Sequence, residues 1–415
     1  MHAKSESCLV ADPRGLEKDL VSHLHALRRL VSKHVNSEAH SNTHNTAKNN
    51  THNQRKPTNM GKSIRRTKTT YDLWGKKVEL CIPKDCFPTK KELEALDKPL
   101  MPGCQHKWFQ SKHNDGAWLH YIEVTKPTNG SPKGIIVFQH GINANAGAAL
   151  VLSNGKKTNM ALMRDYCQEQ GFALYGLDMY GHGFSEGYRM LVPTYQSNRD
   201  DLVDFCNERV AEIGVEDVPL FVLGHSYGGN VTLHAAKYWQ DHPDVAPKGF
   251  KGIMLMAPAV IAELPPKPIL GLLKNKLAPK HPYWVPFFMP NPVTAKRIWR
   301  DPEVYKLNMH PKKDKWGIDD SSKALCLGTG VQLLDAMEEA KNNVIPNLTI
   351  PLCCIHGRKD KAVLVDSTEY IEKHCPSEQK TIVYIPEAYH DILADPDSDK
   401  AMDAIRTFIQ TQLAE

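Results

Sequence analysis

The sequence of 415 residues predicts an α/β fold in which a mostly parallel central sheet is flanked by helices. Short apolar runs recur along the chain after residue 130, and the segments between most of them repeat apolar residues at helical spacing. One connection is much longer than the others and is rich in proline. Apolar strands that alternate with helices are typical of a parallel sheet covered on both faces. We expect the long connection to be an inserted cap between core strands.

The strands are predicted from the apolar runs and from one turn. Lys107–Ser111 and Trp118–Thr125 flank a His-Asn-Asp-Gly sequence, which favours a β-hairpin. The further predicted strands are Gly134–Gln139, Phe172–Met179, Pro219–Gly224, Gly252–Met256, Ile350–Ile355 and Thr381–Ile385. The predicted helices are Asn159–Glu169, Asp200–Ile213, Asn230–Gln240 and Asp399–Leu413.

Residues 261–330 interrupt the alternation. Eight prolines between Pro265 and Pro292 argue against a regular strand or a long helix. An insertion of about 70 residues is far longer than an ordinary connection. Because it is also rich in Leu, Trp and Phe, we predict that it forms a cap, or lid, over the active site. The alternative is a structural excursion without a functional role.

Residues 1–70 are predicted to be a basic, largely disordered tail, and residues 71–415 the folded domain. The tail holds 13 Lys or Arg against 5 Asp or Glu, so the net charge of +5 arises there. Apolar residues at helical spacing predict an amphipathic helix over residues 14–35. Such a helix is suited to an anionic membrane surface or to a partner helix, although a loosely docked helix explains the pattern equally well. Residues 36–70 are polar and almost without aromatics, which is typical of disorder.

The apolar runs and the cysteines indicate the cellular compartment of the protein. No apolar run approaches 18 residues, and the first 30 residues do not resemble a secretion signal. We therefore expect a cytoplasmic protein whose ten cysteines are reduced thiols. The alternative for some of these cysteines is a metal site formed by Cys81, Cys86, Cys104 and His106. The spacing of these four residues fits no standard zinc pattern. No metal and no organic cofactor is predicted.

The segment Phe221–Gly229 carries the most specific motif. A predicted strand ends at Gly224-His225-Ser226-Tyr227-Gly228, and a predicted helix follows. A serine between two glycines at a strand-to-helix junction is the nucleophile-elbow pattern, in which a tight turn exposes the hydroxyl above the sheet. The helix N-terminus that follows favours negative charge developing there. The motif predicts a nucleophilic hydrolase with Ser226 as the nucleophile, against the alternative of a plain turn.

A serine nucleophile needs a histidine to accept its proton and a carboxylate to orient that histidine. In this kind of site the chain order is serine, acid, histidine. Asp360 follows a predicted strand that ends at Gly357, and His390 follows the last predicted strand. Because parallel strands end at one edge of the sheet, both side chains are expected near Ser226. Three rival acids remain open: Asp366, Glu387 and Asp391.

The oxyanion of the tetrahedral intermediate needs backbone N–H donors. One is predicted to be the N–H of Tyr227, directly after the nucleophile. The other is predicted to be the N–H of Ile142, in the loop His140-Gly141-Ile142 after the strand Gly134–Gln139. The alternative is that His140 and Gly141 only turn the chain.

These motifs resemble those of the monoacylglycerol lipase and lysophospholipase branch of the α/β-hydrolases. The similar segments are His140-Gly141, Asp178–Ser185, Gly224–Gly229, Gly330–Ala336, Gly357–Asp360 and Ala388–His390. The resemblance covers roughly residues 105–412 and implies an α/β-hydrolase fold. It also implies that Asp178 and His182–Ser185 shape the loop beside the pocket. The chain departs from the family at Asn143-Ala144-Asn145 and at Tyr227, both at the pocket rim.

The resemblance implies a serine hydrolase that cleaves the ester of monoacylglycerols or lysophospholipids through an acyl-enzyme and releases a fatty acid. A lipid ester is then the expected partner, with possible peripheral membrane contact through the cap or the N-terminal helix and with no nucleic acid. Rival activities on this scaffold are a carboxylesterase for small esters, an acyltransferase and an iminopeptidase. A non-catalytic α/β-hydrolase that binds a ligand is the alternative from another class.

Overall fold

The structure is a computed structural model that describes residues 104–286, 291, 293–309 and 325–414. It also gives the backbone of two earlier strands, β1 (Thr67–Tyr71) and β2 (Lys77–Cys81), which pair antiparallel. The predicted helix over residues 14–35 lies outside the described residues, as does the tail as far as residue 66. The division of the chain at residue 70 stays a prediction, and this position falls inside β1.

The core is one sheet of eight strands in the order β10-β9-β8-β7-β5-β6-β4-β3. Its strands are β3 (Gln105–Gln110), β4 (Trp118–Thr125), β5 (Ile135–Gln139), β6 (Ala173–Leu177), β7 (Leu220–His225), β8 (Phe250–Met256), β9 (Leu352–Gly357) and β10 (Lys380–Ile385). The strands from β5 to β10 pair in parallel, whereas β4 pairs antiparallel with both β3 and β6. The predicted α/β fold, with its mostly parallel sheet, is confirmed.

Helices cover both faces of the sheet. The α-helices of the described residues, including those of the insertion, are α1 (Asn159–Gln170), α2 (Tyr195–Ile213), α3 (Tyr227–Asp241), α4 (Lys267–Leu272), α5 (Ala295–Ile298), α6 (Pro302–Met309), α7 (Leu327–Glu339), α8 (Asp366–His374) and α9 (Ser398–Ala414). One apolar cluster joins the sheet to α2 and α3 through buried residues such as Phe205 and Trp239. A second cluster joins the opposite face to α1 and α9 through residues such as Met163 and Phe408. The sheet is therefore buried on both sides, as its apolar strands require.

Local capping explains where α2 begins and ends. The side-chain oxygen of Thr194 accepts a hydrogen bond from the backbone N–H of Ser197, so the helix starts five residues before the predicted Asp200. It ends at Gly214, whose φ of 71° is left-handed and suits glycine. The apolar periodicity missed the first turn because its residues are polar.

The insertion lies between β8 and β9, as predicted. The described part of residues 261–330 contains the short helices α4, α5 and α6, a π-helical turn at Leu273–Leu277 and the start of α7, as expected from the prolines. Leu273 and Ala278, which follow α4, pack on Leu327 and Val331 of α7 in a small apolar cluster separate from the two sheet faces. Of the helices that the structure describes, none combines the length and the apolar character needed to cross a membrane.

Candidate active site

Ser226 sits in a strained turn between β7 and α3. Its backbone has φ 57° and ψ −122°, which few residues other than glycine adopt. The turn is held from β8, because the Ser226 N–H donates to the Met256 carbonyl at 2.9 Å. The Ser226 carbonyl in turn accepts from the Ala259 N–H at 3.0 Å. The nucleophile-elbow geometry expected from the motif is present.

The glycines of this motif are required by close backbone contacts. A Cβ on Gly224 would lie 2.6 Å from the carbonyl oxygen of Gly228. A Cβ on Gly228 would collide with the carbonyl oxygens of Gln139 and His140 at the end of β5. Neither position can hold a larger residue unless backbone atoms move, so helix α3 approaches β5 and β7 as closely as it does only because both are glycine.

Asp360 and His390 form a buried pair on the loops after β9 and β10. The His390 Nδ1–H donates to Oδ2 of Asp360 at 2.7 Å. The other carboxylate oxygen accepts from the N–H groups of Ala362 at 2.7 Å and Val363 at 3.0 Å. Burial opposes ionisation of Asp360, but the charge and hydrogen bonds of His390 and His356 outweigh it and hold the pKa of Asp360 well below its usual range.

The same pair alters the pKa of His390. Burial lowers it, but the Asp360 charge and hydrogen bond, with a smaller effect from Asp391, raise the pKa of His390 above its ordinary value. The Nε2 atom of this ring is buried and has no hydrogen-bond partner in the described part of the chain, so the Ser226 hydroxyl is not bonded to it here. Hydrogen bonds between a nucleophile and its base are often longer in enzymes without substrate.

The loop after β5 lies against Ser226. A Cβ on Gly141 would be 2.8 Å from the Ser226 Cβ and 3.3 Å from its Oγ, and Ile142 follows directly. His140 holds this loop, since its Nδ1–H donates to the Gly141 carbonyl at 2.7 Å and its Nε2 accepts from the Met179 N–H at 3.0 Å. Tyr227 is the first residue of α3, so its N–H has no acceptor within the helix. The Tyr227 N–H therefore directly follows Ser226 in the chain, and Ile142 directly follows the glycine that approaches Ser226.

Asp178, at the end of β6, ties two loops together. Its carboxylate accepts from the N–H of Ala146 at 2.7 Å and of Phe184 at 2.9 Å, and from His120 Nδ1–H at 2.7 Å. Burial opposes its ionisation, but His120 and the other donors lower the pKa of Asp178 to about 2. It therefore holds the loop after β5 against the loop 178–187.

Comparison with known families identifies this arrangement. The model of the family described as "Serine aminopeptidase, S33" matches residues 130–397, which is more than half of the chain. The chain belongs to this family. The predicted class, a serine hydrolase of the α/β-hydrolase fold that resembles the monoacylglycerol lipase branch, is confirmed.

Individual relatives of this S33-family protein agree with that class. A monoglyceride lipase of Rattus norvegicus is 28% identical over 281 residues, which cover 66% of this chain and 80% of the relative. The crystal structure of a soluble variant of monoglyceride lipase from Saccharomyces cerevisiae matches with a TM-score of 0.57 and 20% identity, over 75% of this chain and 95% of that one. Monoacylglycerol lipase from Paleococcus ferrophilus matches with a TM-score of 0.54 and 21% identity, over 70% and 98%. At these identities the solved structures establish the fold.

The other carboxylates considered as the acid of this S33-family protein do not bond to the His390 ring in the described residues. Asp391 accepts from the Trp299 indole N–H at 2.8 Å, and Glu387 pairs with Lys359 at 2.5 Å. Asp366 begins helix α8. Of the four candidate carboxylates, Asp360 is the one that contacts the His390 ring.

Two histidines next to the site were missed by sequence reasoning. The His225 Nε2–H donates to the His390 carbonyl at 3.1 Å, and burial together with the nearby His390 lowers the pKa of His225 to about 4. His356 Nε2 lies 3.2 Å from Oδ2 of Asp360. The chain has 20 histidines, and no spacing separates these two from the rest. Their one signal is that each lies within the last two residues of a strand whose following loop carries a candidate residue.

The possible metal site is described only in part. Cys104 Sγ lies 3.7 Å from His106 Nε2, whereas the Cys81 side chain and the whole of Cys86 fall outside the described residues. Where side chains are described, no group of three or more His, Cys, Asp or Glu residues is arranged to hold a metal ion.

Proposed function

We propose that this S33-family protein hydrolyses the carboxylic ester of monoacylglycerols with Ser226 as nucleophile, His390 as general base and Asp360 as the carboxylate that orients it. The observation that carries the proposal is the buried Asp360–His390 pair, 2.7 Å between Oδ2 and Nδ1, at the sheet edge where Ser226 occupies its strained turn. Support for the substrate class comes from the relatives named monoglyceride lipase and monoacylglycerol lipase.

The first half-reaction forms an acyl-enzyme. The Ser226 Oγ attacks the ester carbonyl while Nε2 of His390 accepts the hydroxyl proton. The oxyanion that develops is stabilised by the N–H groups of Tyr227 and Ile142 and by the N-terminus of α3. Asp360 stabilises the imidazolium through its Nδ1–H and does not itself take a proton. The imidazolium then protonates the departing glycerol oxygen as the carbon–oxygen bond breaks.

The second half-reaction reverses these roles. Water enters in place of glycerol, and the neutral His390 removes its proton as the oxygen attacks the acyl carbon. The second tetrahedral intermediate collapses, Ser226 Oγ regains its proton from His390, and the fatty acid leaves. Atoms balance with water as the one co-substrate, so the chain's own residues suffice for the reaction.

An apolar acyl chain would supply much of the binding free energy. Burial of each methylene group contributes about 0.8 kcal/mol, so a long chain binds far better than an acetyl group. The insertion between β8 and β9 is the part of the chain expected to bury it. A phosphoglycerol head group, as in a lysophospholipid, changes the leaving alcohol but not the chemistry at Ser226.

The proposal is tested with purified protein and a panel of substrates. We expect hydrolysis of monoacylglycerols to exceed that of lysophosphatidylcholine and of short p-nitrophenyl esters, and to disappear in Ser226→Ala. The family description makes aminoacyl p-nitroanilides a necessary comparison. Faster cleavage of the anilides would identify a peptidase, and a preference for acetyl esters would identify a small-ester carboxylesterase.

We also infer that the cap contacts the lipid surface from which substrate is drawn. Leu264, which precedes helix α4, exposes 61% of its surface, and Leu272, the last residue of α4, exposes 44%. Two lysines are close in sequence, since Lys267 begins α4 and Lys276 lies in the turn that follows it. Apolar and basic residues together favour an anionic interface. Leu272→Glu should weaken co-sedimentation with vesicles that contain anionic lipid and leave hydrolysis of a soluble ester unchanged. Deletion of residues 1–66 tests the N-terminal helix in the same assay.

A further inference from the structure

The middle of the cap is bonded to the loop that carries His390. Three consecutive residues, Ile298, Trp299 and Arg300, contact residues 391–397. We propose that this contact holds the general base in place and that Trp299, acting through Asp391, is a positioning residue for His390. The inference rests on the proposed role of His390 in ester hydrolysis.

The first contact fixes the residue that follows His390. Oδ2 of Asp391 accepts from the Trp299 indole Nε1–H at 2.8 Å and from the Asn159 amide at 3.2 Å. The Asp391 backbone N–H donates to the Ile298 carbonyl at 3.2 Å. Side chain and backbone of Asp391 are thus both bonded to the cap.

The second contact fixes the residue that precedes His390. The Tyr389 N–H donates to Oδ2 of Asp395 at 3.2 Å. That carboxylate is buried and is held by the Arg300 guanidinium, with Nε at 3.1 Å from Oδ2 and an Nη2 at 2.5 Å from Oδ1. Arg300 also reaches Asp397 at 2.6 Å. A charged pair with two parallel hydrogen bonds is among the more rigid contacts a protein makes.

The segment that makes these contacts is itself anchored to the body. Val304 is fully buried with Leu152 and Ala394, and Trp299 packs against this cluster. Glu303 accepts from the Ser153 N–H at 2.7 Å and from its hydroxyl at 2.8 Å. Residues 298–304 of the cap are therefore fixed to the body and can hold the His390 loop in one position.

The backbone on both sides of His390 is therefore held by the cap, while Asp360 sets the orientation of the ring. If the Trp299–Asp391 bond is lost, the loop can shift with Asp360 still ionised and still bonded to Nδ1. A displacement of about 1 Å between reacting groups costs up to about 100-fold in rate. Binding of the acyl chain does not depend on that position, so the loss should appear in kcat and not in KM.

The test compares Trp299→Phe with Trp239→Phe in the full-length protein. In both variants phenylalanine keeps an apolar ring and removes the indole donor, but the Trp239 indole nitrogen is buried in the core without a hydrogen-bond partner among the described residues. We expect Trp299→Phe to lower kcat for a monoacylglycerol roughly 10-fold with KM within about 2-fold. Trp239→Phe should leave both constants near those of the parent, and thermal unfolding of each variant shows whether it is folded.

A double-mutant cycle shows whether Trp299 acts through Asp391. In an Asp391→Ala background, Trp299→Phe should cause no further loss of kcat. Additive losses, or an unchanged kcat in the folded single variant, would overturn the proposal. The proposed function is checked separately by the parent protein and Ser226→Ala. If the parent hydrolyses the ester and Ser226→Ala does not, a negative result with Trp299→Phe counts against the positioning role alone.

Discussion

The Nδ1 atom of His390 lies 2.7 Å from Oδ2 of Asp360, and the opposite ring nitrogen is buried without a hydrogen-bond partner in the described residues. The acid–base pair is therefore assembled by the fold itself, whereas no hydrogen bond joins the His390 ring to the Ser226 hydroxyl. An unpaired buried nitrogen is costly, and a proton donor that reaches it would be stabilised. The Ser226 hydroxyl is the donor that the proposed mechanism requires.

Replacement of Asp360 should abolish most of the activity and leave the fold intact. Asp360→Asn removes the charge that stabilises the imidazolium and favours the wrong tautomer of His390, so kcat should fall by about 10⁴-fold. The measurement is steady-state hydrolysis together with the rate of labelling of Ser226 by a fluorophosphonate. Asp366→Asn, at the rival acid on α8, is the matched control and should remain active.

The pH dependence of hydrolysis should reflect the raised pKa of His390. Because the neutral ring is the base, kcat/KM should be lost as pH falls through a value above the ordinary 6.5. The charge of Asp391 contributes to that rise, so Asp391→Asn, which retains an acceptor for Trp299, should move the acidic limb to lower pH. A pH profile identical to that of the parent would show that the Asp391 charge does not affect the pKa of His390.

A separate pH effect on stability is expected from Asp201 in α2. Its buried carboxylate accepts from the Ser111 hydroxyl and the Asn114 amide, each at 2.6 Å, but burial dominates and raises the pKa to about 6. A raised folded pKa favours the protonated form, so its contribution to stability is present below about 3.8 and is lost as pH rises through about 6.

Urea unfolding at a series of pH values tests this effect. The free energy of unfolding of the parent should decline by about 2 to 3 kcal/mol between pH 3.8 and 6 relative to Asp201→Asn, which cannot titrate. Equal slopes for the two proteins over this interval would contradict the prediction.

The space around each glycine predicts opposite effects of alanine substitution at Gly228 in α3 and at Gly271 in α4. Gly228→Ala places a methyl group against the carbonyl oxygens of Gln139 and His140, so we expect lost activity and destabilisation of a few kcal/mol. Gly271→Ala in α4 meets no atom within 4 Å and should be neutral or stabilise by up to about 1 kcal/mol. Thermal unfolding and fluorophosphonate labelling distinguish them, and a fully active, stable Gly228→Ala would refute the packing argument.

Many elements of the site could be predicted because their signals are local. A buried parallel strand is a short apolar run, and each predicted strand from Gly134–Gln139 to Thr381–Ile385 matches an observed strand within a few residues. The elbow motif is local in part. The collision that excludes a larger residue at Gly224 arises within its own turn, whereas the one at Gly228 involves the carbonyl oxygens of Gln139 and His140 at the end of β5. Helix α8 was missed because its residues are mostly polar.

The amino-acid order alone determined the sheet, the turn at Ser226 and the placement of Asp360 and His390 after successive strands, since these depend on residue type and short-range periodicity. Only the tertiary structure decided which carboxylate meets the ring, that His225 and His356 lie against the pair, and that Trp299 bonds to Asp391. These contacts join residues up to 165 positions apart, as between His225 and His390. These contacts depend on the direction of side chains and on the packing of loops. Neither produces a pattern of residue spacing that can be recognised in one sequence.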